Sequence, residues 1–302
     1  MEQITIIGAG QIGQAVGRVL INKEYHVEFW DSAPGKVKNQ SQLEDIVPDS
    51  ELIFLCVPSR ALRQAIASVR PYLSSKNILV CFSKGMEADT SNFSHETIEG
   101  TASVTPYALF GGPMIAETLD RGGAGCVASK SEDVFKKISM AFDRSPVRVD
   151  YSRDVLGVAA CGVLKNIYAL GLGISDGLGL GENIRGWLAS AAIKEMEGIV
   201  TLLGGEAKTS QSIAGTGDFL ATAYSLNSDN RQTGEALVKT GKLNAASESV
   251  ASIGPMTRRI GNKVADFKFF HKISEISLAG EKPEIGIKEF LAVASEYSID
   301  ND

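Results

Sequence analysis

Short apolar runs rich in β-branched residues alternate with stretches of helical period through the first half of the chain. The runs at 4–7, 27–30, 52–57 and 78–82 suit strands buried on both faces of a parallel sheet. The segments opening at Gln11 and Arg60 carry the period of helices laid on such a sheet. This alternation predicts an α/β N-terminal part, a Rossmann-like, doubly wound parallel sheet. Near Val149 the pattern changes. From Asp154 onward the spacing predicts helices over 154–173, 183–203, 229–240, 255–270 and 285–296 and no strand, an all-α C-terminal part. Gly204-Gly205 and the glycines from Gly171 to Gly181 punctuate these helices. The expected division is a dinucleotide-binding domain over 1–150 and a helical catalytic and substrate domain over 151–302.

The first predicted strand runs straight into GAGQIG at residues 8–13, and a helix follows at once. Gly8 permits the tight turn, Gly10 lets the backbone approach a pyrophosphate, and Gly13 lets helix and strand pack closely. Gln11 and Ile12 then open the helix, whose free N–H groups and partial positive charge suit an anion. Asp31 closes the second strand, where a carboxylate accepts from ribose hydroxyls and repels a 2′-phosphate. The expected cofactor is therefore NAD. NADP is the less favoured alternative, left open by Lys36 and Lys38 nearby in sequence.

Composition narrows the rest. At 302 residues, 44% hydrophobic and 22% charged, the chain is an ordinary globular protein and not a disordered one. A net charge of −6 without a basic cluster argues against nucleic acid and for a small-molecule substrate. Cys56, Cys81, Cys126 and Cys161 have no metal or redox spacing and read as buried thiols in a reducing compartment. No basic segment precedes the first apolar run, so no secretory signal is expected, and the expected location is cytoplasmic. Residues 154–173 are apolar enough for a membrane span, but Lys165 and Asn166 in their middle favour a buried helix of a soluble protein. His26, His95 and His271 have neither metal spacing nor a nucleophile context, and no metal is expected. The small-residue helices 154–173 and 183–203 leave room for a homodimer contact.

The second half contains VLKNIYALGLGISDGLGLGENIRG (163–186) and LLGGEAKTSQSIAGTGDFLATAYS (202–225); the first contains VPSRAL (57–62), SKG (83–85) and GGPMIAE (111–117). In this order they resemble the NAD(P)-dependent glycerol-3-phosphate dehydrogenases over nearly the whole chain. The resemblance implies reversible reduction of dihydroxyacetone phosphate, a phosphorylated triose, and a place in glycerophospholipid metabolism. It implies Lys165 as the group that handles the proton, with Lys84 and Asp218 beside it. Pro58, Lys84 and Ala116 become cofactor contacts. Gly112, Asn166, Thr222, Ser228, Asn230 and Arg231 join Lys84, Lys165 and Asp218 around the substrate. A lysine is chemically suited, since its ammonium stabilises a developing alkoxide and supplies the proton. For the reverse reaction a free lysine near ~10.4 would be neutral in only about one molecule in a thousand, so some lowering is required. Read on residues alone, the alternative for Lys165 is a side chain snorkelling from a buried helix, though Gly162 and Asn166 beside it favour a cleft, while Asp218 equally suits a helix N-cap.

Four departures stand out against the family pattern. Met114 and Ile115 follow Pro113 where the family has serine and phenylalanine, and Asp229 stands where it has an arginine. A glutamate of the family site is replaced around Ile253, and about twenty residues after the second strand are missing. A carboxylate in place of a phosphate-binding guanidinium leaves three alternatives: Arg231 reaches in, Asp229 points outward, or the substrate differs. Two dehydrogenase readings follow, glycerol-3-phosphate dehydrogenase itself or a sibling acting on another small hydroxy or keto compound. A dinucleotide-binding protein without turnover is the contrasting class, against which Lys84, Lys165 and Asp218 argue.

Overall fold

The computed structural model describes residues 3–103 and 105–292. Seven strands form one sheet: β1 (Gln3–Ile7), β2 (His26–Trp30), β3 (Ser50–Leu55), β4 (Ile78–Cys81), β5 (Tyr107–Gly111), β6 (Gly123–Ala128) and β7 (Val147–Ser152). Their order is β2-β1-β3-β4-β5-β6-β7. Every pairing is parallel except β5 with β6, which is antiparallel, so the sheet is mostly rather than wholly parallel. The chain leaves β1 for β2 on one side and passes to β3 on the other. This is the reversal that opens a crevice beyond the strands' carboxyl ends.

Around the sheet lie α1 (Gln11–Ile21), α2 (Leu43–Ile46), α3 (Ser59–Val69), α4 (Ser94–Thr101) and α5 (Glu132–Phe142). Beyond Ser152 the described residues hold only helices: α6 (Val155–Gly177), α7 (Gly181–Leu202), α8 (Ala207–Ser210), α9 (Asp218–Tyr224), α10 (Asp229–Thr240), α11 (Glu248–Ile260), α12 (Lys268–Ser274) and α13 (Pro283–Ala292). Alternation along the strands sends Ile6, Phe54, Val80 and Phe110 to one core, and Ile7, Leu55, Cys81 and Leu109 to a second. That second core is continuous with α6, so sheet and helices share one apolar interior.

One helix prediction needs correction, and another runs past the described residues. The segment expected as one helix over 255–270 is α11, a 3-10 stretch and α12, because Pro255 lies inside α11 rather than opening it and Gly261 at φ 65° ends it. The last helix ends its described length at Ala292, and the remainder of 285–296 lies outside the described residues. Helix α6 is apolar and long enough to cross a membrane, yet 83% of its most apolar window is buried inside the protein, where it forms the axis of the helical part. Its apolar surface is thus satisfied within one chain. Backbone contact brings α10 onto it, since a Cβ at Gly173 would lie 2.0 Å from the Arg231 carbonyl and one at Gly234 2.2 Å from that of Leu170.

One carboxylate sits inside this core. Glu195 of α7, 4% exposed, accepts hydrogen bonds from the Phe269 and Phe270 backbone N–H groups at 2.7 and 2.9 Å and from the Tyr168 hydroxyl at 2.9 Å. It satisfies the otherwise orphaned first amides of α12. Glu195→Ala strands three buried donors and is expected to remove at least ~3 kcal/mol of stability, Glu195→Gln roughly half of that. The check is the denaturant midpoint at unchanged slope.

Candidate active site

The carboxyl ends of β1, β3 and β4 converge on a cleft of about 420 Å³ lined by Gly10, Gln11 and Ile12, by Cys56, Val57 and Pro58, and by Phe82, Ser83 and Lys84. Met114, Ala116 and Glu117 come from the segment after β5, Lys165 from α6, Asn227 from the α9–α10 loop and Glu248 from α11. Of the cofactor residues expected from sequence, Gly10, Gln11, Ile12, Pro58, Lys84 and Ala116 line this cleft. Gly8 and Asp31 line a smaller adjoining hollow with Trp30 and Gln64. Gly13 packs underneath.

The glycine turn passes the test of a dinucleotide cradle. A Cβ on Gly8, at φ 102°, would lie 2.5 Å from the Cys56 carbonyl, and one on Gly13 would lie 2.0 Å from that of Gly8. At Gly10 nothing lies within 4 Å. Gly10 is also the N-cap of α1, whose first turn has no acidic residue and no side-chain cap. Free amides and an open approach remain for a diphosphate. Asp31 accepts from Ala9 N–H at 2.8 Å and Ala33 N–H at 2.9 Å, which ties it to the turn and leaves lone pairs for ribose hydroxyls.

At the other end a buried carboxylate joins two ammoniums. Asp218, 2% exposed, lies 2.7 Å from Lys84 Nζ through one oxygen and 3.2 Å from Lys165 Nζ through the other. Lys84 Nζ also donates to the Gly112 carbonyl at 2.6 Å, and Lys165 Nζ to Thr222 Oγ1 at 2.8 Å. Gly217, not Asp218, is the N-cap of α9, so the carboxylate is free to face the lysines. A π-turn over Ile213–Gly217 delivers it there. Burial pushes the Lys165 ammonium below its ordinary value; Asp218 opposes that fall and Lys84 adds to it. One carboxylate for two cations leaves a surplus positive charge beside the cleft.

Asn166 and Asn230 stand behind the lysines. Asn166 donates to the Lys84 carbonyl at 3.0 Å and accepts from Asn230 at 2.9 Å, while Asn230 accepts from the Ser247 hydroxyl and the Ser249 N–H. Ser228 is the N-cap of α10, accepting from Arg231 N–H, and does not line the cleft. Arg231 is not brought to the cleft either: its guanidinium is 2.6 Å from Asp176 and 3.4 Å from Glu235. Asp229 is exposed at the start of α10. Arg231 is held away from the cleft because α10 turns its Arg231 side toward α6.

Sequence reading missed Glu248 and Asn227. Ile253, where a glutamate was expected to be replaced, is buried in the core, and five residues earlier Glu248 lines the cleft. Its carboxylate accepts from Ser59 N–H at 2.9 Å and from Ser59 Oγ, at the N-terminus of α3. The available signal was Ser247, a capping residue ahead of Val250 and Ile253; Pro255 misplaced the helix start. The four cysteines are free and buried, with burial pushing the Cys81 thiol up to about 11 and that of Cys126 up to about 12.

Comparison with known proteins finds relatives along most of the chain. The profile of the NAD-dependent glycerol-3-phosphate dehydrogenase N-terminus fits residues 31–134, and that of the C-terminus residues 154–288. The glycerol-3-phosphate dehydrogenase (NAD(P)+) of Clostridium tetani is 30% identical over 277 residues, covering 84% of this chain and 79% of that protein. That of Thermus thermophilus is 33% identical over 263 residues, covering 78% and 80%. The crystal structure of glycerol-3-phosphate dehydrogenase from Coxiella burnetii superposes with a TM-score of 0.84 at 26% identity, covering 96% of this chain and 98% of that one. Fold, cleft and relatives together define an NAD(P)-dependent dehydrogenase acting on a CH–OH group. The chain belongs to the NAD-dependent glycerol-3-phosphate dehydrogenase family.

The two glycines separate binding from folding. Gly10→Ala is expected to leave the thermal midpoint unchanged and to weaken NADH at least tenfold by fluorescence titration, since its methyl enters the open approach. Gly13→Ala is expected to lower the midpoint itself, because its methyl meets the Gly8 carbonyl.

Proposed function

We propose that this protein catalyses reversible hydride transfer between NAD(P) and the C2 carbon of a triose-sized substrate, with Lys165 exchanging the proton. The substrate pair taken from the relatives' names is glycerol 3-phosphate and its ketone, dihydroxyacetone phosphate. The observation that carries the reading is the buried Lys165 ammonium, held by Thr222 and Asp218 in the same cleft as an open glycine turn. When bound, the nicotinamide supplies or accepts the hydride. Lys165 stabilises the alkoxide charge developing on the ketone oxygen and donates its proton to it; in oxidation the neutral amine takes the proton back. Lys84 offers a second ammonium to the same region, and Asp218 acts through both lysines by fixing their positions. Asp31 supports NAD over NADP, because a 2′-phosphate would meet a carboxylate anchored by two backbone amides.

A sibling dehydrogenase acting on a different small hydroxy or keto compound is the second reading. One observation favours it: Arg231 is committed to Asp176 and Glu235, away from the cleft.

The test is NADH oxidation by the ketone, followed with the reverse reaction across pH. Because burial lowers the Lys165 pKa, kcat/KM for alcohol oxidation is expected to rise with pH and level off below the ordinary lysine value of ~10.4. Lys84→Met removes a repelling charge and is expected to move this rise to higher pH; Asp218→Asn removes the opposing carboxylate and is expected to move it lower. A profile that ignores both substitutions assigns the proton to another group.

A further inference from the structure

Ser247 stands at the N-cap position of α11, yet its side chain caps no amide of that helix. A serine there ordinarily accepts from the N–H two or three residues on. Its hydroxyl instead donates to Asn230 Oδ1 at 2.8 Å and lies 2.7 Å from Ser249 Oγ. A hydroxyl carries one proton, so between the two serines Ser249 is the donor. Ser247 is 5% exposed and Ser249 fully buried. A capping residue is thus diverted into a buried polar chain.

The two ends of that chain impose its direction. The Ser249 backbone N–H, which can only donate, meets Asn230 Oδ1 at 3.1 Å. This turns the Asn230 amide nitrogen to Asn166 Oδ1 at 2.9 Å, and the Asn166 nitrogen to the Lys84 carbonyl at 3.0 Å, which can only accept. Reversing either amide alone would set oxygen against oxygen. Each amide nitrogen has two protons and spends one, so one N–H on each has no acceptor among the described residues. The neighbour of Lys84 is confined as well, since a Cβ on Gly85 would collide with both members of the Glu248–Ser59 contact. Neither Ser247 nor Ser249 lines the cleft.

We infer that Ser247 and Ser249 are positioning residues for the substrate. They hold the Asn230 amide, and through it that of Asn166, in the one orientation that offers both remaining N–H groups as donors to substrate oxygens and ties down the Lys84 main chain. This rests on the dehydrogenase reading above and adds the residues that set up its substrate donors.

The experiment follows NADH-dependent reduction of dihydroxyacetone phosphate with Ser247, Ser247→Ala and Ser247→Thr, each in the wild-type and the Asn166→Ala background. Ser247→Ala is expected to raise KM about fivefold, the net worth of one hydrogen bond, with kcat and the NADH Kd each unchanged within about twofold. Ser247→Thr keeps the hydroxyl and is expected to match the wild type. Since Ser247 and Asn166 are joined only through Asn230, a serine that acts through Asn166 costs nothing further once Asn166 is alanine. An unchanged KM in Ser247→Ala, or an equal cost in both backgrounds, overturns the inference. Should NADH bind and the wild type not reduce the ketone, the dehydrogenase reading fails by itself. The chain is then read without substrate, from solvent exchange of the Asn166 side-chain NH2 protons by NMR of NADH-loaded protein labelled with 15N-asparagine. Faster exchange at Asn166 in Ser247→Ala, restored in Ser247→Thr, upholds the positioning role, and exchange unchanged by Ser247→Ala overturns it.

Discussion

The site depends on one buried carboxylate shared between two ammoniums. Asp218 gives one oxygen to Lys84, which follows β4, and the other to Lys165 in α6, so a residue of α9 ties the sheet to the helical part at the point where they meet. Breaking a buried pair of this kind leaves an uncompensated charge, at a cost of about 3–5 kcal/mol. The same arrangement sets the chemistry. Burial holds Lys165 below its ordinary pKa, Asp218 opposes that fall, and the second cation, Lys84, adds to it. The contact that locks the geometry therefore also tempers the release of the Lys165 proton that burial favours.

Other parts of the molecule support this contact. Glycines let α10 press its backbone onto α6, and the two asparagines then link α10 and α11 to the Lys84 carbonyl. Glu248 fastens the first turn of α11 to the first turn of α3 across the cleft. These links place residues from five separate elements within one cleft, although some lie more than 180 positions apart in the chain.

The strands with continuous apolar runs were legible in the sequence because burial on both faces demands such runs. β5, β6 and β7 were not. β6 opens with Gly-Ala-Gly, and β7 alternates buried with exposed positions, as suits the last strand of a sheet. GAGQIG and Asp31 were readable through their position between strand and helix, where the conformational demand is local. Lys84, Lys165 and Asp218 were named through family resemblance alone, since nothing in the spacing of three distant residues declares a shared contact. The pairing of Arg231 with Asp176 was illegible for the same reason: the two lie 55 positions apart, and only packing of α10 on α6 brings them together. Glu248 escaped notice because Pro255, a common helix opener, sits in the middle of α11.

The most direct test of Lys165 is a single-turnover experiment with saturating NADH and dihydroxyacetone phosphate, wild type against Lys165→Met. Met keeps the length and apolar stem and removes the ammonium. The expected result is NADH affinity unchanged within about twofold and a transfer rate lower by on the order of a thousandfold, the loss of a positioned acid together with alkoxide stabilisation. Transfer at the wild-type rate in Lys165→Met would contradict the assignment and move the proton chemistry to another group in the cleft.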